Sequence, residues 1–321
     1  MRVNLLPDSL LEPSSKPLIV ASILNWNQFE LTVRCLTSLI EKGYPNLIVC
    51  VTDNHSAVFD EKHLLSLFPN LIILKNGQNL GYAGGHLKAL DYALSVNAEL
   101  IWLLNNDTVV TDQTLPPLLN AYNREGVAIY GSLAINCDGD ISEDVIWGVT
   151  EQLNGAVCSF AALTQDELTE MPIKQVANVL GCSMLVPLSL IEAYGFIDTS
   201  FFLYFEETDY CLRLLELGVP SYMVSGSVIM HEEKASIASN PCLQKRVDYY
   251  LYRNLHRLIL RHGSKMLAFH YLTTVLKRLV IANVFRSKHM SKVNRFEVLG
   301  VLHSYLGVTG KYYDPELYRQ V

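Results

Sequence analysis

The feature that most restricts what this chain can fold into is a set of four apolar segments between Pro17 and Asp107, each closing on polar residues. They are PLIVASIL (17–24), LIVCVTD (47–53), NLIILKN (70–76) and ELIWLLNND (99–107). Continuous apolar runs of this length fit parallel strands buried on both faces. Helical spacing fills the gaps, through Leu31, Cys35 and Leu39, then through Leu64, Leu65 and Phe68, then over GYAGGHLKALDYAL (81–94). Parallel strands joined by right-handed crossover helices imply a doubly wound α/β sheet.

Beyond Asp112 the alternation loosens. Strands are expected at 127–135, 144–149, 155–161 and 179–186, added to the same sheet as a mixed second half. From Leu243 onward helical patterns take over, at 245–262 and 266–286. The expected architecture is therefore a Rossmann-like mixed α/β sheet flanked by helices, with a helical C-terminal extension. Its expected divisions are a lead-in (1–16), a nucleotide-binding half (17–110), an acceptor half of the same domain (111–242) and the extension (243–321).

Composition narrows the class. With 321 residues, half of them hydrophobic and 18% charged, the chain can bury a large core, which excludes a disordered or collagen-like protein. Seven widely spaced cysteines with no C-x-x-C pair point to buried thiols in a reducing compartment. The N-terminus has no apolar stretch suited to a signal peptide, and the longest apolar helix pattern, Leu267 to Phe285, carries Lys277 and Arg278. A cytoplasmic protein is expected. Charge is uneven: between Lys245 and Arg295 there are twelve Lys or Arg against one acid, Asp248, although the chain carries a net −7. Such a block suits either an anionic membrane face or internal pairing with the acidic body, and nucleic acid is not expected.

In open α/β sheets, ligands bind beyond the carboxyl ends of the strands. Those ends here are Asn25-Trp26-Asn27, Asp53-Asn54-His55-Ser56, Asn79-Leu80-Gly81 and Asn105-Asn106-Asp107-Thr108. Any one of them is an ordinary cap or turn; four on one edge exceed what a packing core requires. No Walker-type loop and no G-x-G-x-x-G after a strand is present, which argues against a P-loop ATPase or a dinucleotide dehydrogenase. The glycines of Gly81-Tyr82-Ala83-Gly84-Gly85 would let backbone amides approach an anion at a helix start. Asp107, ending an apolar strand, suits a hard divalent cation that shares phosphate oxygens. His231 follows the apolar segment VSGSVIM (224–230), and an imidazole beside a carboxylate suits Mn²⁺ better than Ca²⁺. The acidic cluster Glu206-Glu207-Thr208-Asp209 follows the aromatic run Phe201 to Phe205. It reads either as a helix start matched to its dipole, with Asp209 pairing Arg213, or as a carboxylate made basic by its aromatic surroundings.

Taken in order, NWN (25–27), DNHS (53–56), NLGYAGG (79–85), LNNDT (104–108), GFIDTSFFLYFEETDYCLRL (195–214) and His231 resemble the family 2 glycosyltransferases of the GT-A fold. Within them the chain is most similar to the rhamnosyltransferase-type branch, and YYLYRN (249–254) is similar to that branch as well. The resemblance covers about residues 17 to 260 and implies an inverting, metal-assisted transfer of a sugar, rhamnose at branch level, to a hydroxyl of a glycan or lipid-linked acceptor. The implied donor is a dTDP- or UDP-linked sugar and the implied cofactor Mn²⁺ or Mg²⁺. Asn25, Asp53, Asn79, Gly81 and Asn106 fall at nucleotide-sugar positions, Asp107 and His231 at metal positions, and Glu207 at the catalytic base, with Glu206 and Asp209 as further candidates. Two positions depart from the family pattern: Asn105 stands where an acid is usual, and the base is Glu where many relatives carry Asp. Acceptors of this family are often lipid-linked, which implies peripheral contact at the inner membrane face through 245–295. The alternative is an inactive GT-A protein that binds a nucleotide sugar or glycan. A sugar nucleotidyltransferase would need a glycine-rich loop after the first strand, where this chain has NWNQFE.

Overall fold

A computed structural model describes residues 16–135, 172–232, 241–285 and 295–312, and the strands expected at 144–149 and 155–161 lie outside them. The first four apolar segments form β1 (Ile19–Asn25), β2 (Leu47–Asp53), β3 (Ile72–Lys75) and β4 (Leu100–Asn105), and the β3–β2–β1–β4 block is all parallel. Between them run α1 (Phe29–Ile40), α2 (Glu61–Leu67) and α3 (Gly81–Ser95). On α1 the buried side chains are Thr32, Cys35, Leu36 and Leu39, the one-sided spacing of a helix laid on a sheet. Asp60 caps α2 by accepting the amide of His63.

The second half adds β5 (Thr108–Val110), α4 (Leu115–Glu125), β6 (Ile129–Ile135), β7 (Ile173–Val176), β8 (Ser183–Pro187), α5 (Leu188–Tyr194), a 3₁₀ turn (Thr199–Phe201), α6 (Glu206–Glu216) and β9 (Ser221–His231). The sheet order is β3-β2-β1-β4-β8-β6-β9-β5, with β7 also on β9. The expected strand at 179–186 is corrected to 183–187, because β8 begins only where Ser183 meets Leu104 of β4. Strand β8 runs antiparallel between β4 and β6, and β9 is parallel to β6. It follows that β1, β2, β4 and β9 all end at the same edge. The short β5, invisible in the sequence pattern, doubles back from β4 and pairs Thr108 with His231. One core spans this sheet from Ile19 to Ile229.

The C-terminal patterns form α7 (Pro241–His262), α8 (Lys265–Phe285) and α9 (Arg295–Tyr305). Small clusters tie them to the sheet domain: Leu258, Ile259 and Ala268 pack with Ala177 and Leu212, and Tyr249 and Tyr250 with Phe202. Among the described residues no helix is long and apolar enough to cross a membrane.

Candidate active site

Parallel pairing puts Asn25 beside Asp53 and Leu24 beside Asn105. The polar ends of β1, β2 and β4 are thus neighbours, and their side chains join in one hydrogen-bonded series. Asn25 donates Nδ2 to Asp53 Oδ1 at 3.0 Å and to Ser56 Oγ at 3.0 Å. Thr32 donates to Asn25 Oδ1 at 2.8 Å, and Asn106 donates to Thr32 Oγ1 at 3.0 Å. Asp53 also accepts the amide of Ser56. All of Asn25, Thr32, Asp53 and Asn106 are buried, so these bonds hold each group in one orientation at the cleft floor.

A second series involves residues the sequence argument left without a role. Asn54 donates to Asn79 Oδ1 at 3.2 Å and to the Gly81 carbonyl at 3.0 Å, and it accepts from Asn76 at 3.1 Å and from the Leu80 amide at 3.0 Å. Asn79, one residue before the N-cap Leu80 of α3, accepts the Gly81 amide at 2.9 Å. Asparagines after β2 and β3 therefore fix the start of α3, and DNHS was the only sequence signal for Asn54. Gly81 sits at φ +75°, and a Cβ there would lie 2.0 Å from the Phe202 carbonyl oxygen. The start of α3 is thus pressed against the aromatic loop before α6, and Tyr82 donates its amide to that same oxygen at 2.9 Å. His86, which received no role from the sequence, is buried, bonds Ser22 at 2.7 Å, and is pushed down to about 3 by burial, so it is a neutral packing residue.

The pairing of β5 with β9 carries His231 to Asp107, with Nε2 to Oδ1 at 3.2 Å. That buried Asp107 oxygen makes no hydrogen bond among the described residues. A buried carboxylate oxygen and an imidazole nitrogen that converge at 3.2 Å fit a divalent cation that draws its other ligands from a diphosphate and water. They do not make a protein-only cage, and no group of three or more ligating side chains occurs among the described residues.

Glu206 and Glu207 open α6 directly after the aromatic loop. Their environments differ. Glu206 is buried, and its Oε2 has no hydrogen-bond partner among the described residues. Burial first, then the charge of Glu207, raises its carboxyl well above the usual range, with its own amide and Arg253 pulling the other way. Glu207 is half-buried. Both charges also reach Tyr82, whose phenol is raised mainly by burial and which donates to the Gly181 carbonyl at 2.6 Å.

Asp209, an active-site candidate from the sequence, is committed elsewhere. It bonds Arg213 at 2.9 Å, Arg261 at 3.0 Å and His262 at 3.0 Å. Burial would raise its carboxyl, but bonds from His262, Arg261 and Arg213 outweigh that and hold it down at about 2. Nearby, Asp198 pairs with both Arg257 and Arg261. Arg257 and Arg261 of the basic C-terminal block thus dock α7 on the acidic sheet domain, which is the internal-pairing role for that part of the charge.

The mixed α/β sheet flanked by helices is of GT-A type, as the solved structures it superposes on show. Residues 22–156 match the sequence model of Glycosyl transferase family 2. The low-salt glycan biosynthesis hexosyltransferase Agl10 of Haloferax volcanii is 27% identical over 58% of this chain and 66% of its own length. Among solved structures, GalNAc-T7 with UDP, GalNAc and Mn²⁺ superposes at a TM-score of 0.55 with 13% identity, over 80% of this chain and 54% of that one. The mannosyltransferase PcManGT of Pyrobaculum calidifontis, with GDP-Man and Mn²⁺, superposes at 0.52 with 13% identity, over 93% and 90%. The chain therefore spans 66% of the Haloferax relative and about half of GalNAc-T7.

Proposed function

We propose that the protein is an inverting glycosyltransferase that moves a hexosyl group from a nucleotide-diphosphate sugar to a hydroxyl of a glycan or lipid-linked acceptor. The observation that carries this reading is the meeting of Asp107 with His231 at 3.2 Å on the edge where Asp53, Asn25 and Asn106 are already linked. Support comes from the family 2 match over residues 22–156 and from a relative named as a hexosyltransferase. The branch resemblance favours a rhamnosyl donor on dTDP, with UDP as the close competitor.

In this reading Asn25 and Asp53 hold the base and ribose, Asn79 and Gly81 shape the loop over the nucleotide, and Asn106 orients the donor side of the cleft. Asp107 and His231 hold Mn²⁺ or Mg²⁺, which when bound neutralises charge on the departing diphosphate. Glu207 accepts the acceptor hydroxyl proton as its oxygen bonds to the anomeric carbon. The bond from that carbon to the β-phosphate oxygen breaks on the opposite face, and the nucleoside diphosphate leaves with the electron pair. Burial of Glu206, which raises its carboxyl, supports the half-buried Glu207 as the base of the pair.

Thermal shift with UDP, GDP and dTDP, each with and without Mn²⁺ or Mg²⁺, tests the donor site. A ligand at 100 times its Kd stabilises by about 2.7 kcal/mol. Stabilisation by one of them, deepened by metal, is expected; no response from any under any metal condition overturns the site. Glu207→Gln should lower turnover about 10²–10⁴-fold with nucleotide affinity intact.

We further assign a peripheral membrane contact at the cytoplasmic face to the basic positions of 245–295 that do not dock on the sheet domain. Met266 and Phe269 are exposed beside Lys265 at the start of α8, and Tyr305 and Leu306 at the end of α9, which suits an interfacial surface. Sedimentation with anionic vesicles at low salt is expected, and protein that stays in the supernatant refutes it.

A further inference from the structure

We propose that Arg253 and Asn254, adjacent on α7, are positioning residues that hold the Glu206–Glu207 pair in place by gripping the loop before it. The loop cannot hold its own shape. Three of its residues, Phe202, Tyr204 and Phe205, have φ of 71°, 70° and 66°, the left-handed region that bulky side chains rarely adopt. Phe205 is also the N-cap of α6, so the path of this loop sets where the first turn of α6, and both glutamates, come to rest.

What holds the strained path is a set of donors aimed at consecutive carbonyls. Asn254 Nδ2 lies 2.9 Å from the Phe201 oxygen, 2.7 Å from that of Leu203 and 3.0 Å from that of Tyr204. Arg253 Nη2 donates to the Phe201 oxygen at 2.6 Å, and its Nη1 reaches the Gly310 carbonyl at 2.7 Å. The intervening Phe202 oxygen is taken by the Tyr82 amide, so the four carbonyls 201 to 204 are all bound. Arg253 Nε donates to Asn254 Oδ1 at 2.9 Å, which fixes the amide with its nitrogen toward the loop. Both side chains are fully buried, and the guanidinium is stacked on Tyr249 and Tyr250, at 5.5 and 5.0 Å.

The buried guanidinium's charge is met by the ring faces of Tyr249 and Tyr250, and its three donors hold the loop, the Gly310 carbonyl and the Asn254 amide. Arg253 thus anchors the loop and fixes the Asn254 amide, while Asn254 binds the consecutive carbonyls. The helical extension is in this way part of the site's framework.

The test compares wild type, Asn254→Ala and Arg253→Lys, the latter keeping the charge and losing the fork. The activity arm rests on the glycosyl transfer reading; it follows release of nucleoside diphosphate from UDP-glucose, GDP-mannose and dTDP-rhamnose, with water as acceptor. Rates are counted per site titrated with the matching nucleoside diphosphate, which removes any loss from unfolded protein. A displacement of the base by about 1 Å is worth about 100-fold in rate. Both variants are expected to lose roughly that in kcat, with nucleotide affinity within about threefold of wild type. The second arm is independent of that reading: amide exchange over 203–210 should quicken at least tenfold in either variant, with β1, β2 and β4 unchanged. Wild-type kcat per titrated site in either variant, or unchanged exchange over 203–210, overturns the proposal. If wild type turns over no donor, the transfer reading fails, and the exchange arm alone decides the clamp.

Discussion

Gly81→Ala is the most telling single change outside the acidic pair, because two independent penalties coincide there. The residue is at φ +75°, where a side chain costs about 1–2 kcal/mol relative to glycine. The new Cβ would also lie 2.0 Å from the Phe202 oxygen, 2.7 Å from its carbonyl carbon and 2.8 Å from its Cα, all backbone atoms. Reaching ordinary contact requires the loop or the start of α3 to move by more than about 1 Å, and overpacking of this kind costs about 1–3 kcal/mol. The sum is about 2–5 kcal/mol. At about 2–4 °C per kcal/mol for domains of 150–250 residues, a loss near 3 kcal/mol lowers Tm by about 6–12 °C. Gly77→Ala is the control: nothing lies within 4 Å of its Cβ and its φ is ordinary, so its effect should stay within about 0.5 kcal/mol. Denaturant unfolding of both variants measures the difference. A Gly81→Ala protein within about 1 kcal/mol of wild type would show that α3 and the aromatic loop are not pressed together, and the argument for the shape of the cleft would go with it.

Three further outcomes are expected. Asp107→Asn or His231→Ala should abolish the metal-dependent part of the nucleotide thermal shift and leave the metal-free part; an unaltered metal response would remove the pair from the metal site. Stability should depend on pH through Asp209 and His262. Asp209, held at about 2, adds stability that is complete above its ordinary 3.8 and lost as pH falls toward 2. Burial lowers His262, but its bonds to Asp209 and Glu216 win and raise it above 6.5, so its contribution is complete below 6.5 and lost as pH rises through the folded value. The network therefore contributes most between about pH 4 and 6.5, and His262→Gln should flatten the decline above that window in urea titrations. Finally, Cys35 and Cys50 are pushed up to about 12 and Cys211 to about 11, mainly by burial. Iodoacetamide at pH 8 followed by peptide mapping should label these three only after denaturation, since the thiolate is the reactive form.

How much of this was readable without coordinates depends on whether the deciding interaction is local. The four apolar runs ending in Asn25, Asp53, Asn79 and Asp107 are local signals, and strand burial together with the crossover rule is enough to place Asn25, Asp53 and Asp107 on one edge. The helix opened by Gly81 and the acidic start of α6 are local too. The added strands were less legible. β5 is three residues long, and β8 is defined only by what it pairs with, so the boundary at 179 slid to 183.

Tertiary structure decided what charge and spacing leave open. Asp209 and Glu207 lie two residues apart in the same acidic cluster, yet Asp209 is bound by Arg213 of its own helix and by Arg261 and His262 of α7, while Glu207 opens α6 beside a buried Glu206. The contacts of Gly81 with Phe202, of Asp107 with His231 and of Asn254 with the carbonyls of the aromatic loop each join segments far apart in the chain. The sequence by itself determined the first four strands, their polar edge and the residue types available there. Which of those residues meet was decided by the tertiary structure, because burial and a few directed hydrogen bonds are properties of the assembled neighbours.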